Sequence, residues 1–93
     1  MIVSFKSEEA RAVFHGIKVT HVPLEIQKRA TNKMWLVHAA SSMQELKSPP
    51  SNHLELLHGN RAGQWSIRIN RQWRLCFHWK DGNAHAVEIV DYH

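Results

Sequence analysis

Apolar residues recur with a helical period in the first half of this chain and with a strand period in the second. Ile2, Val3 and Phe5 make a short β-prone start. Ser7 then offers a helix N-cap, with Glu8 and Glu9 in the first turn, where carboxylates suit the helix dipole. Ala10, Val13 and Phe14 follow at helical spacing, and Gly16 reads as the stop. After the β-branched linker from Ile17 to Val22, Pro23 suits the first position of a longer helix reaching about Ala40. Its apolar stripe is Ile26, Ala30, Met34, Val37 and Ala40, with Gln27, Lys28, Asn32 and Lys33 off the stripe. Ser42 and Glu45 have the spacing of a capping box for a short third turn carrying Met43 and Leu46, which Pro49-Pro50 ends.

Beyond the prolines the period drops to two. Trp65, Ile67 and Ile69 alternate with Ser66, Arg68 and Asn70, and Trp73, Leu75, Phe77 and Trp79 alternate with Arg74, Cys76 and His78. Asp81-Gly82 is a tight hairpin signal, and Ala86 to Tyr92 supplies a third strand. Helices first and a strand meander afterwards give an α+β domain, one unit over 1–93, with the N-terminal helices on one face of a small antiparallel sheet.

That parity sorts the chemistry. If the large apolar residues pack under the helices, Arg68, Arg74 and His78 point to the other face with Ser66 and Asn70, and Arg61 and Arg71 reach its rim from flanking loops. An arginine-lined sheet face is a seat for a phosphate backbone, or an ordinary solvated surface. Twelve Lys and Arg against eight Asp and Glu give a net charge of +4, compatible with a nucleic-acid partner without requiring one. The ending Asp91-Tyr92-His93 closes a strand anchored by Val87, Ile89 and Val90, and parity puts Tyr92 on the Arg74 side. Histidine moves protons near neutral pH, arginine stabilises a pentavalent phosphate and tyrosine orients or donates. Those are the parts for a metal-free attack of an RNA 2′-hydroxyl on its own 3′-phosphate.

The one cysteine, Cys76, has no partner for an internal disulfide, which points to a reducing compartment. No apolar run approaches a membrane span, and the start Met1-Ile2-Val3-Ser4-Phe5-Lys6 lacks a signal-peptide core. A soluble cytoplasmic protein is expected. None of the eight histidines pairs at metal-ligand spacing, so neither metal nor cofactor is expected.

The run from Leu57 to Asn70, with Gly59-x-Arg61-x-Gly63, then Trp73-Arg74 and the terminal Asp91-Tyr92-His93, resembles the HigB group of RelE/ParE-superfamily toxins. The likeness is specific over residues 53–93 and weaker before them. It implies the RelE-like fold and metal-independent cleavage of mRNA on the translating ribosome. It also implies neutralisation by a HigA-like helix-turn-helix antitoxin. Arg74 matches the family's phosphate-stabilising arginine, and Asp91, Tyr92 and His93 match its carboxy-terminal catalytic cluster, with His93 as proton carrier. Arg61 and Arg68 match positions that contact RNA, and Arg71 joins them on the rim. Where many relatives carry a lysine before the glycine and a histidine three residues earlier, this chain has His58 and Glu55, with His53 out of register. His58 either replaces the lysine as a phosphate contact or is only a loop residue. The rivals are a ParE-like gyrase poison on the same scaffold and a non-catalytic RNA- or ribosome-binding module.

Overall fold

The computed structural model describes residues 1–92. Helix α1 spans Glu8–Phe14, and the Ser7 hydroxyl accepts from the Ala10 amide at 3.1 Å as the expected cap. Helix α2 spans Leu24–Ala39, with Pro23 in the capping position one residue before it. Every member of the expected stripe is buried: Ile26, Ala30, Met34, Val37 and Ala40. Gln27 corrects the pattern, because this off-stripe residue is also buried. Its side-chain amide donates to the Val19 and Val22 carbonyls and accepts from the Val19 amide, fastening the linker onto α2. A polar residue at a buried position signals a bonded partner rather than a solvent face.

The expected capping box shifts by one residue. Met43–Lys47 forms a 3-10 turn without a Ser42 side-chain cap, and Glu45 reaches back to the backbone amide and hydroxyl of Ser41. Leu46 is buried beneath this turn as the apolar pattern requires.

The sheet is a four-stranded antiparallel meander in the order β1-β2-β3-β4, with β1 Glu55–Leu56, β2 Gln64–Arg68, β3 Trp73–Lys80 and β4 Asn83–Asp91. Two strands differ from expectation. Two-residue β1 is too short to show alternation, and β4 begins three residues before Ala86 because Asp81 and Gly82 turn tightly with φ of 54° and 77°. The β-prone start pairs with β4 in parallel, through Ile2 with Ala84 and Phe5 with Val87, so that it flanks the sheet opposite β1.

Both helices pack on the face carrying Ile67, Leu75, Phe77, Ala84 and Val87, all buried. Trp65, Trp73 and Trp79 are half-buried around this core rather than enclosed in it. A bulge in the β3–β4 pairing, between Cys76 and His78 on β3, lies near Ala86, whose φ is 52°. No helix among the described residues is long and apolar enough to cross a membrane.

Candidate functional site

The other face of the sheet is built in rows. Glu55, Ser66, Cys76 and Glu88 stand side by side across all four strands, and Arg68, Arg74 and Val90 form the next row across β2, β3 and β4. This face is not the open polar surface expected from alternation alone. Ser66 and Cys76 are fully buried in its floor, roofed by long charged side chains. Alternation fixes which way a side chain points, not what lies over it.

Arg74 is the centre of the roof. Its Nε donates to the Ser66 hydroxyl at 2.9 Å and its Nη2 to the His53 carbonyl at 2.6 Å, while Glu55 lies 4.0 Å from Nη2. The Arg74 side chain is only 14% exposed. Its Nη1 has no hydrogen-bond partner among the described residues. His53 offers its carbonyl because the residue sits in a left-handed conformation after the turn Pro50–Asn52. The Arg74 guanidinium carbon lies 5.7 Å from the centre of the Tyr92 ring, so the two meet on one face as parity requires. Tyr92 is 38% exposed, and its amide donates to the Gln72 carbonyl at 2.5 Å, which fixes the end of β4.

Tyr92 also borders a shallow hollow of about 390 Å³ with His58, Arg61 and Asp91. Arg61 closes the turn Gly59–Arg61 and is paired with Glu88 at 3.2 Å, while the same Nη1 donates to Gln64. Glu88 holds Lys6 as well, at 3.3 Å. Asp91 stands opposite Trp73 in the β3–β4 register, on the helix side of the sheet, where its carboxylate accepts from Gln72 Nε2 at 3.0 Å. Arg68 and Arg71 lie apart from this hollow, in a larger groove against α2. Arg74, Tyr92, His58 and Arg61 are therefore gathered around the Arg74 row. Asp91 reaches the hollow's edge, Arg68 and Arg71 flank it, and His93 lies outside the described residues.

Sequence reasoning missed the countercharges Glu55 and Glu88 and the His53 carbonyl. Only register brings the glutamates to the arginines, so sequence spacing carried no signal of them. Strand parity put Arg68 and Arg74 on one face; register sets them directly opposite each other, where like charges are unfavourable unless an anion joins them.

Cys76 is fully buried between these charges. Burial pushes its thiol up to about 11, which the nearby Arg61 and Arg74 only partly oppose while Glu88 and Glu55 reinforce it. A neutral thiol in a closed floor is neither nucleophile nor metal ligand at physiological pH. Cys76→Ser should therefore retain activity within about threefold of the parent, since the small buried side chain is replaced by one of similar shape. Growth arrest on induction, compared at equal expression, checks this. Among the described residues no three His, Cys, Asp or Glu side chains come together as a metal cluster.

Comparison with known proteins adds three findings. A family model described as the RelE-like toxin of the type II toxin–antitoxin system HigB matches residues 3–93. The chain is 30% identical to Endoribonuclease HigB of Proteus vulgaris over the full length of both, and 41% identical over 63 residues to Toxin HigB-1 of Vibrio cholerae, covering 68% of this chain and 66% of that one. The toxin–antitoxin complex YoeB–YefM of Staphylococcus aureus contains a chain of the same fold, with a TM-score of 0.62 at 17% identity, covering 100% of this chain and 98% of that one.

Proposed function

This chain belongs to the HigB-like toxins, RelE-like toxins of type II toxin–antitoxin systems, and on that footing we propose that it is a metal-independent endoribonuclease that cuts mRNA on the translating ribosome. The observation that carries this reading is the Arg74 guanidinium. It is pinned through Nε and Nη2, faces Tyr92, and keeps Nη1 without a partner among the described residues.

In the proposed reaction the 2′-hydroxyl oxygen bonds to the adjacent 3′-phosphorus, and the bond from phosphorus to the 5′-oxygen breaks. The products are a 2′,3′-cyclic phosphate and a 5′-hydroxyl. One proton leaves the attacking hydroxyl and one joins the leaving oxygen. Arg74 neutralises the added charge on the phosphorane, with no reorganisation needed because its other nitrogens are already held. Tyr92 orients the phosphate beside it. His93 is the proton carrier, and Asp91 with Gln72 positions the tail that bears it. His58 and Arg61 line the hollow that receives the neighbouring nucleotide, with Arg68 and Arg71 on the flank. A HigA-like helix-turn-helix antitoxin encoded beside it neutralises the toxin in the cytoplasm.

The test is cell-free translation of a reporter mRNA with and without the purified toxin, with the RNA ends mapped, beside a DNA supercoiling assay. Cuts at defined codons that need active ribosomes support the reading. Intact mRNA with loss of supercoiling would assign the chain a gyrase-directed action. Translation arrest with intact mRNA would leave a ribosome-binding module.

A further inference from the structure

The cations around Arg74 have glutamates for company; a second set does not. A groove of about 760 Å³ runs between α2 and the end of β2 with the loop that follows. Arg29 and Lys33, one turn apart on α2, line it together with Arg68 and Arg71, and no carboxylate of the described residues does. Among the described residues every hydrogen bond these cations make ends on a neutral oxygen. Arg29 Nη1 donates to the Ile69 carbonyl at 3.4 Å, Lys33 Nζ to Asn52 Oδ1 at 2.6 Å and Arg68 Nε to the Asn70 carbonyl at 3.0 Å. Among the described residues none of the four is ion-paired with a carboxylate.

Such a set is unfavourable in the free protein. Like charges one helical turn apart repel, and Lys33 is held below the ordinary lysine range by burial and then by Arg29. An anion with several charges in a row would relieve the repulsion at once. The groove also joins the Arg74 site at two points. His53, whose carbonyl receives Arg74 Nη2, lines it, and Arg68 stands directly opposite Arg74 across β2 and β3. A strand whose phosphate rests on Arg74 can pass its cross-strand neighbour Arg68 into the groove that Arg68 also lines. Asn32 and Asn70 on the walls supply amides for sugar or base edges.

We propose that this groove holds the phosphates of the RNA strand adjoining the scissile one, with Arg29 and Lys33 of α2 as phosphate contacts. The inference rests on the nuclease reading, and it assigns α2 a part in gripping RNA beyond the site at the end of the sheet.

The probe is a fluorescent single-stranded 12-mer with 2′-O-methyl groups, which the toxin cannot cut, titrated by anisotropy at several salt concentrations. Arg29→Ala with Lys33→Ala should weaken binding about tenfold at low salt and reduce the salt slope by roughly 1.4, since each lost contact to a single strand removes about 0.7. Arg29→Lys with Lys33→Arg should restore most of both. The alanine pair should melt somewhat lower than the parent, because Lys33 no longer donates to the buried Asn52 Oδ1, so binding is compared below its transition. Parental affinity and slope in a folded alanine pair would overturn the proposal, as would failure of the parent to bind the 12-mer. A glutamate-rich 12-mer peptide that binds through the same two residues while RNA does not would make the groove a protein site, again overturning it. Cleavage by the parent in the translation assay is read separately, so the groove assignment can fail while the nuclease reading stands.

Discussion

Arg74→Ala should lower RNA cleavage by about 10²–10³-fold, ~3–4 kcal/mol of transition-state stabilisation, which is the typical loss for one preorganised donor. Growth arrest on induction should disappear with it. The effect is large because Arg74 is already aimed: Ser66 and the His53 carbonyl fix two of its nitrogens before any RNA arrives. The same bonds mean that alanine also strips the buried Ser66 hydroxyl of its donor, so some stability is lost as well. Arg74→Lys separates the two effects. It retains a cation in the row beside Arg68 but has no fork to span Ser66 and His53 while presenting a third nitrogen. It should therefore fold and remain strongly impaired. Single-turnover cleavage and melting temperature, measured on both variants, check this. Parental cleavage by a folded Arg74→Ala protein would remove Arg74 from the mechanism.

Phe77→Ala should destabilise the domain by ~3–5 kcal/mol, the usual range for emptying a buried aromatic site. Phe77 is fully buried, stands opposite Trp65 across β2 and β3, and belongs to the core shared with both helices. A chain of 93 residues has a total stability of only ~5–15 kcal/mol. A loss of this size leaves it marginal at growth temperature. Urea unfolding followed by tryptophan fluorescence gives the value directly. The result also tests the division of the sheet into two faces, because aromatics among arginines can serve as a base-stacking platform. An unchanged midpoint with weakened RNA binding would place Phe77 on the RNA side.

How much of this was readable beforehand depended on whether the signal was periodic. The stripe of α2 and the alternation of β2 and β3 repeat over several turns or residue pairs; the α2 stripe and Ile67, Leu75 and Phe77 are buried accordingly, with Trp65, Trp73 and Trp79 half-buried at the edge. Parity along β4 likewise brought Tyr92 to Arg74. What sequence could not supply was coverage and register. Ser66 was placed correctly on the second face, yet it is buried, because Arg74 folds down over it rather than extending into solvent. Gln27 was off the apolar stripe and is buried because the linker supplies its partners. Two-residue β1 had no room for a pattern, although it delivers Glu55 to Arg74. Lys33 read as the polar side of α2 and Arg29 was not singled out, and only the approach of the loop after β2 turns that side into a groove wall.

The central claim is that the carboxy-terminal residues perform chemistry beside Arg74 rather than support the fold. Tyr92→Ala with His93→Ala is the direct test, because it retains the backbone amide of residue 92 that bonds to the Gln72 carbonyl. Positioned acid–base assistance is worth about 10²–10⁴ in rate. The measurement is mRNA cleavage during cell-free translation, set beside melting temperature and antitoxin affinity on the same preparation. The account predicts that cleavage falls by at least about a hundredfold while melting temperature and antitoxin affinity stay close to those of the parent. Cleavage at the parental rate by the double variant would contradict it.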